Sequence, residues 1–414
     1  MGSYVRLLRE NHDFRNLWLA TMVSYAGDWF NLLASAALVA HLTDSGLAIS
    51  ALFLARFLPL FFFTPIAGVL ADRFDRKRLL IAADLLRAFT VLAFILVQVT
   101  QQVWLLYVLT VIQFALSALF APTHSAVIPN LVDKKELVTA NALDGFTWST
   151  MLALGALAGG VVATLFGLTT AFVLDALTFV WSAWFISRIA GPTRQGDVAT
   201  TGAALLQFVD GLRYLHSRPF ILTMSLIKGG AALCWGALNV LEVGLAEQIF
   251  PIGEKGAISL SIFYAMNGIG SGLGPLLVRR WLGDSRQAAL WALTVGFALL
   301  TVGMFWLSLA ATLPEAAVAT LVRTLGGGSL WVFSAALLQM LVADAYRGRV
   351  FAFEFTLFTL SQSLSTLWAG LAQDALGLDV RGALYYTSYA SLALLGAWLI
   401  FQFRHQRRTT ALEP

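Results

Sequence analysis

Charge is what this sequence has least of. Only 12% of its 414 residues are Asp, Glu, Lys or Arg, about half the share of an ordinary soluble domain. So few charges cannot cover a soluble globule of this length, which excludes a cytosolic enzyme and a disordered chain. Cysteine is almost absent. Cys234 stands alone, so no intramolecular disulfide and no secreted disulfide scaffold is possible. The five histidines, His12, His41, His124, His216 and His405, are scattered. With no HExxH and no Cys pair, no metal site is indicated. Gly326-Gly-Gly-Ser329 lacks the lysine of a phosphate-binding loop, which removes ATP drive by this chain. No nucleophile elbow is present. Neither an enzyme nor a cofactor is implied. The net charge of +4 does not read as nucleic-acid binding, because the positions of the charges matter more than their sum.

What the sequence has in quantity is apolar length. Hydrophobic residues make up 58% of it, and the mean hydropathy is +0.77. Twelve apolar runs are of membrane-crossing length, which takes roughly 20 residues each. The first is Leu17–Ala40 and the last Ala383–Phe403. They are too long, and lack the alternation, for barrel strands. The first run is also too long for the core of a cleavable signal peptide. The longest hydrophilic stretch, Ala190–Arg218, divides the chain. We therefore expect an all-α polytopic protein with two six-helix halves, residues 1–190 and 219–414, joined by a linker at 191–218. Within that linker Leu205, Phe208, Val209, Leu212 and Leu215 recur at helical spacing. They predict an amphipathic helix lying on the membrane surface or packed on the halves.

Of the 27 Lys and Arg residues, 21 fall on one side of this topology, among them Arg6, Arg9, Arg15, Arg78, Arg188, Arg213 and Arg286, and four lie inside the runs. Lys255 and Arg381 are the exceptions in loops. The positive-inside rule then places both termini in the cytoplasm of a plasma membrane, as an even number of spans requires.

The halves repeat weakly. Gly68 after the second run corresponds to Gly274 after the eighth, and the acids Asp144 and Glu354 stand at equivalent positions. Such a six-plus-six repeat is a transporter pattern. The loop after the second run reads Gly68-Val-Leu-Ala-Asp72-Arg73-Phe-Asp75-Arg76-Lys77-Arg78. It resembles the G-x-L-a-D-R-x-x-R-K loop of the major facilitator superfamily, and the degenerate Gly274-Pro-Leu-Leu-Val278-Arg279-Arg280 resembles its second-half copy. Phe120-Ala-Pro122, Ala126-Val-Ile-Pro129, Asn141-Ala142-Leu143, Phe172-Val-Leu-Asp175 and Gly348-Arg349-Val350 are similar to the branch of macrolide efflux pumps, the enterobactin exporter and a lactococcal multidrug pump. The resemblance implies two pseudo-symmetric bundles around a cavity that opens alternately to either side. Two antiporter features are missing or partial. The fourth run has no arginine, and the fifth has Gly155, Gly159 and Gly160 without a proline.

Ionisable side chains inside the runs are functional candidates, since each costs at least ~2.5 kcal/mol to insert. Asp28 lies about 16 Å into the first run at ~1.5 Å per residue, the deepest carboxylate, and is the expected proton-coupling group. Permanent pairing with Arg56 is the alternative. Asn31, Arg56, Lys228 and Arg323 join it as cavity candidates that hold an anionic substrate group or a carboxylate partner. Trp235 and Trp331 would supply an apolar wall. Asp84 and Arg87 share a face of the third run and read as a bracket under the Gly68 loop. Asp175 reads as structural. Gly68 would allow close helix approach, while Arg76 and Lys77 hold the loop inside and touch anionic lipid. Pseudo-symmetry suggests a gate in which Arg73 meets Glu354, Asp144 meets Arg279 or Arg280, and Asp72 faces a helix N-terminus.

The expectation is thus a proton-coupled multidrug-type antiporter, a monomer in a bacterial inner membrane. Its partners would be a small amphipathic substrate, protons and membrane lipid. A lysophospholipid transporter without proton coupling and a non-transporting sensor are the alternatives.

Overall fold

The computed structural model describes residues 2–43, 45–133, 136–191, 211–283, 285–342 and 344–410. Some side chains within its helices also lie outside the description. They include those of Gly68, Asp72, Arg73, Pro122, Ala126, Pro129, Asn141, Ala142 and Gly348, so expectations placed on these residues are not addressed. Leu205, Phe208 and Val209 of the linker fall outside it as well. The described end of that stretch is helical at 211–216, with Leu215 buried and Leu212 exposed.

Helices account for all regular structure among the described residues. A short α1 (Gly2–Glu10) leads into α2 (His12–Leu42), α3 (Gly46–Arg73), α4 (Arg76–Thr100), α5 (Val103–Leu131) and α6 (Leu137–Ser187). There follow α7 (Pro219–Gly244), α8 (Ala257–Leu282), α9 (Arg286–Leu309), α10 (Leu313–Leu341), α11 (Asp344–Asp374) and α12 (Val380–Thr410). Polar caps set the starts. Asn11, Ser45, Asp75 and Ser285 each accept a backbone N–H from the first turn of α2, α3, α4 and α9. Thr312 and Glu315 form a reciprocal capping box on α10, satisfying donors that the helix itself cannot.

At 51 residues, α6 is far longer than one crossing of a ~30 Å hydrocarbon core at ~1.5 Å per residue. Gly167 interrupts it with φ 82°, a conformation glycine adopts without a Cβ penalty. The two pieces match the fifth and sixth predicted runs. The second piece runs alongside α4 in the opposite sense. Thr169 donates to Gln98 at 2.9 Å near one end of α4, and Lys77 at the other end donates to the Ile189 carbonyl at 2.7 Å. Six spans thus come from α2–α6 and six from α7–α12, as the apolar runs predict.

Two compact units form: Met1–Ala204 with Ala246–Ala265, and Leu205–Leu245 with Met266–Pro414. In the first, α2 packs on α6, α3 on α5, and α4 on both α5 and α6. In the second, α7 packs on α11, while α9 packs on α10 and α12. The partner α8 meets α10 through Gly270, Gly274 and Gly328. Counted as spans, the pairings of the first unit recur in the second, which is the structural form of the sequence repeat.

Among the described residues, eight helical stretches are apolar enough to cross a membrane by hydropathy, the longest being Leu143–Ser187. The spans outside this set are α2, α8 and α11. Each carries a row of buried polar side chains, such as Thr21, Ser24, Asn31 and Ser35 on α2, or Glu354, Thr359, Gln362 and Ser365 on α11. These helices turn polar groups to protein and so need less hydropathy than lipid-facing ones.

Several helices outrun their apolar segments, because the backbone keeps bonding itself into the interface. Asp144 therefore sits about two turns inside α6, and Glu354 nearly three turns inside α11, deeper than helix-start positions.

Candidate functional site

In the first unit the charges gather around Arg87 of α4. Its Nη2 donates to both carboxylate oxygens of Asp28 on α2, at 3.0 and 3.4 Å, and its Nη1 donates to Asp84 at 3.2 Å. The guanidinium lies 3.9 Å from the ring centroid of Phe179 and 5.5 Å from that of Phe120. Arginine suits this place, since its planar fork serves two carboxylates while its face stacks on an aromatic ring. Arg87 thus bonds Asp84 on its own helix and also Asp28 on α2, a partner that the sequence did not indicate. The physical reason is that α4, α2 and α6 pack closely here, and a buried guanidinium needs carboxylates.

Arg56 of α3 does not bond Asp28. It is buried with its guanidinium 4.4 Å from the centroid of Phe114 on α5. Its Nη1 has no hydrogen-bond partner among the described residues. Asp175 of α6 is fully buried, and neither carboxylate oxygen has a hydrogen-bond partner among those residues. Thr178 and Asp175 fill the space against Gly27 of α2, so Asp175 belongs to the same layer as Asp28. Asn31 is buried and accepts from Ser35 at 3.4 Å. Of the three acids, Asp28 alone is open, with 28% of its side chain exposed, against 0% for Asp84.

The second unit holds two further clusters. Arg323 of α10 donates to Glu242 of α7 and, at 2.7 Å, to Asn267 of α8, and Asn267 Nδ2 returns a bond to Glu242 at 3.1 Å. This closed triangle ties three helices. Glu242 escaped the sequence reading because it stands near a run end, and Asn267 because it stands mid-run without a charge. The signal was available: an arginine deep in one apolar run calls for an acid in another. Lys228 of α7 donates to Glu354 of α11 at 3.1 Å, and its Nζ lies 4.3 Å from the ring centroid of Trp331 on α10. Trp235, Trp331 and Phe358 pack around this pair, with centroids 5.2 to 6.4 Å apart. Trp235 and Trp331 thus pack on one another and on Phe358, with Trp331 beside the ion pair.

Of the residues of the expected gate, Glu354 and Asp144 have partners within their own units. Glu354 bonds Lys228. Asp144 lies 3.9 Å from His124, which itself pairs with Thr21 at 2.8 Å. Arg279 and Arg280 end α8. Arg76 is buried at the start of α4, and Lys77 donates to the Ile189 carbonyl just beyond α6, the place where a cation meets the negative end of a helix.

A twelve-span, twice-repeated helical fold with ion pairs buried among its helices defines a multi-pass membrane protein. The chain belongs to the Major Facilitator Superfamily, whose family model matches residues 17–366. It is 29% identical over 250 residues to the uncharacterized MFS-type transporter YfiS of Bacillus subtilis, covering 59% of this chain and 58% of that one. The match thus spans less than two thirds of that relative. It is 24% identical over 305 residues to the putative bacilysin exporter BacE of Bacillus subtilis, covering 73% and 74%. It is 22% identical over 385 residues to macrolide efflux protein A of Streptococcus pyogenes, covering 88% and 92%. Among solved structures, the nucleoside transporter NupG superposes with a TM-score of 0.72 at 14% identity, over 94% of this chain and 98% of that one. At that identity the likeness concerns the fold alone.

Proposed function

We propose that this transporter exports a small amphipathic molecule in exchange for protons. It would act as a monomer in the inner membrane of a bacterium, with both termini in the cytoplasm. The observation that carries the reading is the charge balance around Arg87. Asp28, Asp84 and Asp175 set three carboxylates against the two guanidiniums of Arg56 and Arg87, all in one helical layer. An unpaired buried charge costs several kcal/mol, so the neutral cluster holds one proton more than the fully ionised one. Asp28 is the member through which that proton exchanges, because its side chain is the exposed one. Asp28 with a proton loosens its hold on Arg87, which keeps its bond to Asp84, and Asp28 without one binds Arg87 alongside Asp84. That gives two arrangements for a protonation step to bias. The outward direction is supported by relatives named as a bacilysin exporter and a macrolide efflux protein.

The test is transport in proteoliposomes with a panel of amphipathic drugs and an imposed proton gradient. Wild-type protein should concentrate substrate and dissipate the gradient as it does so. Asp28→Asn should lose uphill transport while keeping downhill exchange. Uphill transport at the wild-type rate in Asp28→Asn would remove the assignment.

A further inference from the structure

We infer that the aromatic box around Lys228 and Glu354 is a binding site for an organic ammonium group, which makes cationic amphiphiles the preferred substrate class; the inference rests on the export reading above. All the residues belong to one compact unit. Lys228 shows that the box recognises an ammonium, since it places one there. Its Nζ is 3.1 Å from Glu354 Oε2, 4.3 Å from the Trp331 centroid and 6.0 Å from that of Phe351. Those ring distances lie in the range of cation–π attraction. Trp235 and Phe358 complete the walls.

Two features distinguish this from a finished structural pair. Glu354 is 2% exposed, yet its Oε1 has no hydrogen-bond partner among the described residues. Burying such an oxygen without a donor costs free energy, and a second donor would recover it. Trp331 meanwhile keeps 39% of its surface exposed, so the box is not sealed. The closed Glu242–Arg323–Asn267 triangle leaves no comparable vacancy at Glu242, whose two carboxylate oxygens are both bonded. An anionic ligand is disfavoured here, because it would face Glu354 and the negative faces of several rings. Lys228 then acts as a tethered competitor. A substrate ammonium takes Glu354 and the Trp331 face, and the lysine gives them up.

Calorimetric titration of the purified protein in maltoside micelles tests this without any proton gradient. The probes are 4-phenylbutylamine and its neutral counterpart 4-phenylbutanol. Lys228→Met should tighten the amine about tenfold, by removing the competitor for one cation–π and ion-pair site. It should leave the alcohol unchanged. Trp331→Ala in the Lys228→Met background should reverse that gain. The double variant Lys228→Met/Glu354→Leu keeps Trp331 but removes the carboxylate, and should lose most of the amine's advantage over the alcohol. Equal amine affinity in wild type and Lys228→Met would overturn the proposal. So would a preference for the amine in the double variant as large as in Lys228→Met. Failure of the protein to export any amphiphile in vesicles would sink the export reading and leave this binding result to be judged by itself.

Discussion

Arg87 is the residue on which the first unit's charges depend. It serves two carboxylates on two helices and stacks on Phe179. Arg87→Met would leave Asp28 and Asp84 without their cation. Removing one partner of a buried pair costs about 3–5 kcal/mol, so a large fall in the thermal unfolding midpoint in detergent is expected. Arg87→Lys should recover only part of it, since an ammonium cannot fork between two acids or stack in the same way. Asp28→Asn should be milder than either, because the Asp28 side chain is partly exposed and the amide oxygen still accepts. If Arg87→Met unfolds at the wild-type temperature, the hub is not structural. Each of these residues was visible in the sequence as a charge inside an apolar run. Their pairing was not, because Asp28 and Arg87 lie 59 residues apart and periodicity describes one helix at a time. It places Asp84 and Arg87 on one face of α4 without saying which helix that face meets.

At the scale of the element, α10 is the most constrained helix of the second unit. Gly326, Gly327 and Gly328 are consecutive, and successive residues on a helix point about 100° apart. Each therefore faces a different neighbour. Gly326 packs on the Gly296 carbonyl of α9, Gly328 on the Ser271 carbonyl of α8, and Gly327 lies 3.3 Å, as an added Cβ would, from the Trp235 ring of α7. Small residues at such crossings let helix backbones approach in a membrane, where van der Waals packing drives association. A methyl at 326 or 328 meets a backbone carbonyl that cannot move aside. Gly326→Ala and Gly328→Ala should each lower stability by about 1–3 kcal/mol, as overpacking does. Gly396→Ala on α12 is the control. An added Cβ there meets nothing within 4 Å, so the higher helix propensity of alanine should make it neutral or stabilising. Equal midpoints for Gly328→Ala and Gly396→Ala would contradict the packing argument. The sequence shows the glycine triplet plainly, and excludes a phosphate loop by its missing lysine. Which three helices it separates is a tertiary fact, absent from the run of residues. The depths of Asp144 and Glu354 escaped for a related reason, since hydropathy marks where lipid contact ends and helices continue beyond it.

For the whole molecule, the number of spans and the repeat were legible because membrane crossing imposes a length on every helix. Gly167 is where the fifth and sixth runs part, as a glycine in a short polar gap should be. Orientation follows from how the two ends of the first unit differ. At one end Asn11 donates to the Leu131 carbonyl at 2.6 Å, Asp13 accepts from Ala190 and Gly191, and Lys77 donates to the Ile189 carbonyl. At the other end His41 pairs with Glu254 at 3.0 Å and Thr169 bonds Gln98. Arg15, Arg76, Lys77, Arg78 and Arg188 cluster at the first end, and Lys255 alone represents Lys and Arg among these loops at the second. Under the positive-inside rule, the proposed orientation has the first end facing the cytoplasm. Cys234 is fully buried, so a Cys234→Ser background supports single-cysteine labelling with little disturbance. Arg78, Gln102 and Lys255 are exposed and mark the two ends. Cysteines at 102 and 255 should react with a membrane-impermeant maleimide on intact cells. A cysteine at 78 should react only after the membrane is opened. The reverse pattern would turn the molecule over, and with it the direction in which Asp28 would deliver its proton. Labelling of 78 and 102 from the same side would break the argument at an earlier point, because α4 would then not cross the membrane.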